Sequence, residues 1–338
     1  MKRSKSYLLT AAVALVLTAC GETQKPNADA ASSAASAASG TTTTYPYTFD
    51  NCGHKVTINK APERIFLMGP TALTSLDAVG ATDKIVSLAG QYPKEYYSEA
   101  LNEKIKSIPR LTSKIGTSGG VSLSLESIID LKPDIVFGYE NDAITRDALA
   151  KAGIQLYVNP TSCKGMKPVA SFDAIYKEII NLGEIFNKQT VAQKAAEELK
   201  NRVAETISKK PEKSGLKAAT IYVESDGKQL WTFSKRSMSH LQLEALGYEN
   251  IYAENDERCY EVSLESIIDK KPDMLVLLYD GEELKPEVVL NMVKKMPGAE
   301  SIPAIANNMA FPQLYNFSET ATPLIVNGLT MLQEKVAQ

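Results

Sequence analysis

Short apolar segments alternate with segments of helical periodicity along the chain from Arg64 onward. The apolar segments are rich in β-branched residues and predict buried strands at residues 65–68, 85–88, 134–138, 154–158, 218–223 and 273–278. Other segments have apolar side chains at helical spacing and predict helices at residues 74–79, 125–131, 143–152, 238–246, 288–296 and 318–336. Alternation of strand and helix is typical of an α/β protein with parallel sheets.

The central part of the chain interrupts this alternation. Residues 172–210 carry no strand signal, and residues 188–208 have apolar side chains at helical spacing before the stop at residues 211–215 (PEKSG). A helix of about 20 residues spans roughly 30 Å, which is the width of a small domain. The pattern therefore predicts two parallel-sheet α/β lobes, residues 45–170 and 211–338, joined through residues 171–210 by one long spine helix.

An internal repeat relates the two predicted lobes. Residues 124–134 (SLESIIDLKPD) and 263–273 (SLESIIDKKPD) are identical at ten of eleven positions, and each copy leads into an apolar strand. The first serine of each copy is a good N-cap, the glutamate lies in the first helical turn, and Lys-Pro ends the helix. Equivalent elements are therefore expected in both lobes.

The N-terminal part of the chain predicts an export signal followed by a linker. Residues 1–6 are basic, residues 7–19 are apolar, and Cys20 comes next. Residues 17–20 (LTAC) resemble a bacterial lipobox, which makes residues 1–19 a lipoprotein signal peptide and Cys20 the lipidated residue. An ordinary cleaved signal with an incidental cysteine is the alternative. Residues 20–44 predict a flexible tether, because a segment so poor in large apolar side chains cannot offset the entropy lost on ordering.

The composition argues against several functional classes. The 37 basic and 40 acidic side chains nearly balance, which disfavours a dedicated nucleic-acid-binding protein. No apolar run reaches about 18 residues, so no permanent membrane-spanning helix is expected. The two histidines are too few for a multi-histidine zinc or manganese site; His54 is expected in solvent and His240 in a core or a helix cap. The chain lacks G-x-S-x-G, H-E-x-x-H and glycine-rich phosphate motifs, which disfavours an enzyme such as a secreted α/β hydrolase.

Three cysteines remain once Cys20 is assigned to the lipid. An oxidising compartment permits one disulfide among Cys52, Cys163 and Cys259 and leaves one thiol over. Three pairings are possible, and the spacing of the cysteines does not choose between them.

The order of these features resembles one known family. The chain combines a lipobox, a tether, a hairpin at Cys52-Gly53, residues 61–65 (APERI), and the SLES…KPD segment on either side of a central helix. This order resembles the helical-spine class (class III) of ABC-importer substrate-binding proteins, which are receptors for ferric siderophores, cobalamin and haem. The resemblance extends from Tyr45 to the C-terminus. It implies a ligand cleft between the lobes, a monomer without catalysis or cofactor, and an ABC permease with its ATPase as partners.

The resemblance also implies roles for individual residues. Proteins of this class present one glutamate from each lobe to the permease, and the matching residues are Glu126 and Glu265. A carboxylate in the first turn of a helix also interacts favourably with the helix dipole, by about 0.3–1 kcal/mol, and the two roles are compatible. The most similar branch carries Asn-Cys-Gly near the first hairpin and a cysteine after the fourth strand. This favours a Cys52–Cys163 disulfide over Cys163–Cys259.

The ligand of such a protein is expected beyond the carboxyl ends of the strands. The loops at these ends are residues 69–71, 90–92, 138–140, 160–163, 226–236, 256–260, 279–281 and 313–317. The candidate ligand contacts are aromatic and arginine side chains in or near these loops: Tyr92, Tyr139, Trp231, Arg236, Arg258, Tyr260, Tyr315 and Arg110. Rings stack on flat ligands and guanidinium groups bind carboxylates or catecholates, so this set favours a large anionic chelate.

These observations together predict an extracytoplasmic lipoprotein that captures an iron–siderophore or a similar metal chelate and delivers it to an ABC permease. The lipid would anchor the protein to the cell membrane, facing the periplasm where two membranes are present. A haem or cobalamin receptor of the same fold is the alternative, because a tyrosinate can ligate haem iron and cobalamin also suits aromatic walls.

Overall fold

The computed structural model describes residues 42–111, 114–115, 121–167, 170–210, 215–281 and 284–337. The predicted signal peptide, Cys20 and most of the predicted tether lie outside these residues. Within them, no helix combines the length and the apolar character needed to cross a bilayer. Packing begins at Thr43, two residues before the predicted lobe boundary at Tyr45. The Thr43 hydroxyl donates to the Glu184 carbonyl (2.8 Å), and the Tyr45 hydroxyl donates to the Ile185 carbonyl (3.0 Å).

The first lobe follows an N-terminal hairpin and is built on a four-stranded parallel sheet. The hairpin consists of β1 (Tyr47–Asn51) and β2 (His54–Ile58). The lobe contains, in chain order, β3 (Ile65–Leu67), α1 (Leu73–Ala78), β4 (Ile85–Leu88), α2 (Glu99–Ser107), β5 (Lys114–Ile115), β6 (Val121–Ser122), α3 (Leu125–Asp130), β7 (Ile135–Gly138), α4 (Arg146–Lys151) and β8 (Gln155–Val158). The sheet has the order β4-β3-β7-β8, and all of its neighbours are parallel.

Alternate side chains of the first sheet enter different parts of the core, because successive strand residues point to opposite faces. Ile65 and Leu67 of β3 belong to the large buried cluster that also contains the linker helices. Phe66 and Met68 pack instead with Ile128 of α3 and other apolar side chains in a second cluster. The sheet is thus buried on both faces, which explains why its strands are continuous apolar runs in the sequence.

Two helices, rather than a single one, occupy the predicted linker. Helix α5 (Phe172–Ile185) and helix α6 (Gln189–Ser208) pack against each other, and Asn187 between them adopts a left-handed conformation with φ of 54°. Helix α6 has 20 residues and corresponds to the predicted spine. Gly183 permits the close approach of the two helices, since a Cβ at this position would lie 2.4 Å from the Cβ of Ala192.

The second lobe repeats the α/β arrangement with a larger sheet. It contains, in chain order, β9 (Leu216–Val223), β10 (Leu230–Phe233), α7 (Met238–Ala245), β11 (Tyr248–Asn250), β12 (Cys259–Glu261), α8 (Leu264–Lys270), β13 (Met274–Tyr279), α9 (Pro286–Lys294), α10 (Pro303–Ala306), β14 (Ala310–Leu314) and α11 (Pro323–Val336). The sheet has the order β12-β10-β9-β13-β14, and β11 also pairs with β9. The α/β class and the two lobes are therefore confirmed.

The second sheet differs from the prediction because it is mixed rather than wholly parallel. Strand β10 turns back from β9 in a hairpin and pairs antiparallel with both β9 and β12. Strand β10, which contains Trp231, therefore lies between two strands of the sheet, in a segment that the sequence analysis treated as a loop. A short connection at Gly227, with φ of 70°, permits this hairpin.

The repeated segment occupies equivalent places in the two sheets. Ser124 and Ser263 cap α3 and α8 by accepting the N–H groups of Ser127 and Ser266. The repeat ends at Asp134 and Asp273, whose carboxylates accept backbone N–H groups at the start of the neighbouring strand. Asp134 accepts from Arg64 (2.9 Å), and Asp273 accepts from Lys217 (2.8 Å). The identity of the two copies thus reflects the same helix cap and the same strand connection.

A disulfide joins the N-terminal hairpin to the first lobe. Cys52 in the turn of the hairpin is bonded to Cys163, which follows β8, across a sequence separation of 111 residues. Asn51 reinforces this junction, because its side chain donates to the Val158 carbonyl (2.8 Å) and accepts from the Val158 N–H (2.9 Å). Cys259 carries a free thiol.

Removal of the disulfide is expected to destabilise the protein. We expect Cys52→Ser or Cys163→Ser to lower the free energy of unfolding by about 2–4 kcal/mol, because the unfolded chain gains the freedom of a long loop. Chemical denaturation with and without a thiol reductant measures this effect. The control variant Cys259→Ser should retain its sensitivity to reductant, and equal stability of the oxidised and reduced wild-type protein would contradict the assignment.

Candidate functional site

A cavity of about 260 Å³ lies between the two lobes. The lobes contribute loops at the carboxyl ends of β3, β4, β7, β8, β13 and β14, and α5 contributes one side chain. The described residues that line the cavity are Met68, Gly69, Pro70, Thr71, Ala72, Gln91, Pro93, Tyr96, Phe137, Gly138, Tyr139, Tyr157, Asn159, Ser162, Glu178, Asp280, Gly281, Tyr315 and Asn316. Six of the eight loops expected from the sequence therefore contribute to one site, and the loops at residues 226–236 and 256–260 do not.

Direct contacts hold the two lobes together beside the cavity. The hydroxyl of Tyr96 in the first lobe accepts the backbone N–H of Asn316 in the second (3.0 Å), and its ring meets the ring of Phe317 edge-on at 5.0 Å. The side chain of Asn159 donates to the Ala321 carbonyl (3.1 Å), and the Ala321 N–H donates to the hydroxyl of Thr161 (3.1 Å). These bonds close one side of the cavity.

A buried carboxylate lies in the wall that α5 contributes. Glu178 accepts a hydrogen bond of 2.6 Å from the hydroxyl of Tyr157, which in turn accepts from the side chain of Asn181 (3.1 Å). Burial raises the pKa of Glu178 to about 7, because desolvation disfavours the ionised form more than the bond from Tyr157 favours it. The carboxyl group of Glu178 therefore changes between its protonated and its ionised form near neutral pH.

The second lobe contributes another acidic side chain to the same cavity. Asp280 follows β13 directly, and its carboxylate accepts a hydrogen bond from the hydroxyl of Tyr222. Burial raises the pKa of Asp280 to about 6, and the bond from Tyr222 offsets this only in part. The cavity thus has one acid from the linker helices and one from the second sheet.

Three basic side chains near the cleft, Lys167, Arg236 and Arg258, lie in a neighbouring pocket that shares Ser162 with the cavity. Arg236 donates to the Lys167 carbonyl (3.0 Å) and lies 3.6 Å from Asp256. The ammonium group of Lys167 pairs with Glu257 at 2.8 Å.

Arg258 in the same neighbouring pocket is also paired. Its guanidinium group forms an ion pair with the buried Glu319 and a hydrogen bond with Tyr315. Burial acts to lower the pKa of Arg258, but Tyr315 and Glu319 outweigh it and raise that pKa above the usual range. This arginine is therefore a fixed part of the wall behind Tyr315.

Two of the eight predicted ligand contacts, Tyr139 and Tyr315, line the cavity. Tyr92 is buried beside it: its hydroxyl donates to the Gly69 carbonyl (2.9 Å), and the guanidinium of Arg110 lies 5.1 Å from its ring centre. Tyr92 and Arg110 thus support the loop that carries Gly69.

The other predicted contacts lie elsewhere in the second lobe. The indole N–H of Trp231 donates to Glu224 (3.2 Å), and Tyr260 lines a separate surface pocket with Tyr252. Arg236 and Arg258 belong to the neighbouring pocket. His240 is buried in the first turn of α7 and His54 is exposed in β2, as the sequence suggested. No group of three or more histidine, cysteine, aspartate or glutamate side chains suited to a metal ion occurs among the residues described.

Several residues of the cavity were not predicted from the sequence, above all Tyr96, Tyr157, Glu178 and Asp280. The signal for Glu178 was available, because Ile175, Ile179 and Leu182 define the apolar face of α5 and Glu178 lies on that face. A charged side chain on a buried helical face indicates either a partner or a site. Tyr157 gave no such signal, because a tyrosine in an apolar strand is equally typical of a core.

The two glutamates of the repeat are both solvent-exposed. Glu126 and Glu265 lie in the first turns of α3 and α8, one in each lobe. Hydrogen bonds from its own backbone N–H and from the Ser263 hydroxyl hold the pKa of Glu265 below its usual value, so this carboxylate is ionised at neutral pH.

The chain is similar to proteins of known family. Residues 66–311 match the periplasmic binding protein family. An uncharacterized ABC transporter substrate-binding lipoprotein of Bacillus subtilis is 25% identical over 305 residues, covering 87% of each chain. A vitamin B12-binding protein of Salmonella paratyphi A is 26% identical over 283 residues, covering 82% of this chain and 91% of that protein.

One protein of solved structure is similar to this chain in both sequence and fold. The ABC-type Fe3+-hydroxamate transport system protein of Saccharomonospora viridis superposes with a TM-score of 0.80 at 36% identity, covering 87% of this chain and 100% of that chain. The two lobes, the cavity between them and these similarities all indicate the same family. The chain belongs to the periplasmic binding protein family, whose members bind solutes and, as a rule, do not transform them.

Proposed function

We propose that this protein captures a ferric siderophore outside the cytoplasm and delivers it to an ABC permease driven by its ATPase. The observation that carries the proposal is the cavity between the lobes, which is lined by aromatic residues of the first lobe (Tyr96, Phe137, Tyr139) and of the second (Tyr315). A cavity shared by two lobes couples ligand binding to their relative position, which gives a permease a means to distinguish loaded from empty protein. The similarity to the Fe3+-hydroxamate transport protein supports iron as the cargo.

The N-terminal residues support attachment to a membrane in this proposal. The basic and apolar segments before Cys20, together with the LTAC segment that ends in it, would form a lipoprotein signal, and the Bacillus subtilis relative is a lipoprotein by name. The lipid on Cys20 would hold the protein near its permease, and the part of the predicted tether (residues 20–44) that precedes Thr43 would link the lipid to the first lobe. The protein would act as a monomer.

Ligand binding is tested with a panel of a ferric tris-hydroxamate, haem and cobalamin in a thermal-shift assay. At about a hundredfold excess over Kd, the bound chelate should stabilise the protein by about 2.7 kcal/mol. We expect the ferric siderophore to produce this stabilisation. A shift with cobalamin or haem alone would keep the receptor function but contradict the siderophore assignment, and cobalamin has the support of the vitamin B12-binding relative.

The cavity itself is tested by truncating one of its rings. We expect Tyr139→Ala to weaken binding of the active chelate by roughly ten- to a hundredfold, because the loss of a buried ring costs about 1.5–3 kcal/mol. Tyr260→Ala is the matched control, since this ring lies in a separate pocket. Equal affinity of the two variants, measured by titration calorimetry, would show that the ligand binds elsewhere.

Docking to the permease is assigned in this proposal to Glu126 and Glu265. The charge-reversed double variant Glu126→Lys/Glu265→Lys should abolish uptake of the radiolabelled chelate in cells but leave chelate affinity unchanged. Asp130→Lys/Asp269→Lys provides a matched control, because these exposed acids occupy equivalent positions at the other ends of the same two helices. Undiminished uptake by the first variant, or equal loss in both, would contradict the role of the glutamates.

A further inference from the structure

The charged side chains of the cavity all have the same sign. Among the described residues that line it, Glu178 and Asp280 are the ionisable acids, and none is an arginine, lysine or histidine. This contrasts with the arginine-lined, anion-binding cleft that the sequence favoured. The negative charge of these side chains therefore affects which chelates the proposed receptor selects.

Neither acid is paired with a basic group among the residues that the structure describes. Glu178 is held by the hydroxyl of Tyr157 and Asp280 by the hydroxyl of Tyr222, which are both neutral donors. No described lysine, arginine or histidine forms an ion pair with either of them. An ionised carboxylate away from water is costly unless it has an opposite charge nearby. A cationic group on the ligand would supply that charge.

The remaining walls suit a cation as well. Four aromatic residues line the same space as the two acids: Tyr96, Phe137, Tyr139 and Tyr315. The negative face of an aromatic ring attracts an ammonium group, most strongly where water is excluded. Carboxylates and aromatic rings together form a set that recognises an organic ammonium ion.

The basic side chains near the cleft already contact other groups of the protein: Arg110 donates to the Gly90 carbonyl (3.1 Å) and lies over the ring of Tyr92, and three others are paired with acids. Lys167, Arg236 and Arg258 each have a carboxylate partner, namely Glu257, Asp256 and Glu319. An anionic chelate would have to break these ion pairs or remain next to Glu178 and Asp280. Both cost binding free energy, so the cleft disfavours strongly anionic chelates.

We infer that the cargo is a chelate with a protonated amine, and that Glu178 and Asp280 select it by binding this ammonium group between the aromatic walls. The inference rests on the proposed siderophore-binding function and specifies its substrate class. A ferric tris-hydroxamate with a pendant amine fits this class, because three hydroxamate charges balance the ferric ion and the protonated amine then makes the complex cationic. Ferric tris-catecholates are strongly anionic and are excluded from it.

The test uses a matched pair of probes and the full mature chain. Ferrioxamine B carries a free ammonium group, and its N-acetyl derivative holds the same iron centre without the charge. We expect calorimetry at pH 8 to show at least roughly tenfold tighter binding of the cationic probe. In Glu178→Gln and Asp280→Asn this ratio should fall towards one, because the amide keeps the size of the side chain but carries no charge to pair with the ammonium group. The control Glu261→Gln, which removes the same charge from a separate pocket, should keep the wild-type ratio.

The preference for the cationic probe should also depend on pH and should be weaker in acid. At pH 5 both carboxyls are largely protonated, since burial raises the pKa of Glu178 to about 7 and that of Asp280 to about 6. The ratio of affinities should therefore fall as the pH drops from 8 to 5. The titratable groups that face these acids are Tyr157 for Glu178, and Tyr222, Tyr96 and Tyr315 for Asp280. Burial raises the pKa of each of these phenols, so they keep their protons throughout this range.

The possible results separate this inference from the proposed function. Equal affinity for the two ferrioxamines, or a ratio that both variants leave unchanged, would overturn the selection of an ammonium group but leave the siderophore receptor intact. Tighter binding of a ferric tris-catecholate would overturn it as well. Failure of every ferric chelate to bind would instead contradict the proposed function itself.

Discussion

The close packing of α5 against α6 holds the two lobes at the separation that the cleft requires. The helices meet at Gly183, where the Cβ of any larger residue would lie 2.4 Å from that of Ala192. A single buried cluster continues from β3 and α1 through these helices to β9, β13 and α11. Because close-packed interiors transmit displacement, a shift at this contact would change the position of Glu178 and the spacing of the cavity walls.

The electrostatic character of the cleft follows from which charges have partners. The basic groups at its side are neutralised by acids that lie next to them, as Arg258 is by Glu319. The two acids inside accept hydrogen bonds from phenol groups, and burial raises the pKa of both carboxyls. The affinity of such a site depends on the charge of the ligand, whereas a site lined by complete ion pairs selects its ligand mainly by shape.

The duplicated segment serves the fold and offers a surface for a partner at the same time. Its serine and aspartate are structural, since Ser124 and Ser263 cap helices and Asp134 and Asp273 join neighbouring strands. The glutamate of each copy has no such structural connection to a neighbouring strand and is exposed in the first turn. One element used twice therefore places a carboxylate at an equivalent position on each lobe.

Sequence alone determined the properties that depend on local periodicity and short-range chemistry. The strands at residues 65–68 and 273–278, the spine helix, and the helix caps of the repeat follow from apolar spacing, capping residues and Lys-Pro stops, all of which act within a few residues. The short strands β11, β12 and β14 were missed, because pairing with neighbours rather than intrinsic preference stabilises them.

Only the tertiary structure decided which side chains share the cavity. Tyr139 and Tyr315 line it together with Glu178 and Asp280, whereas Trp231 on β10 donates to Glu224 outside the cavity. Residues so far apart in the chain come together through the packing of two sheets on α5 and α6. The sequence indicates which loop or strand carries a side chain. Its partners across the cleft depend on how the two lobes pack, and the sequence alone does not show this.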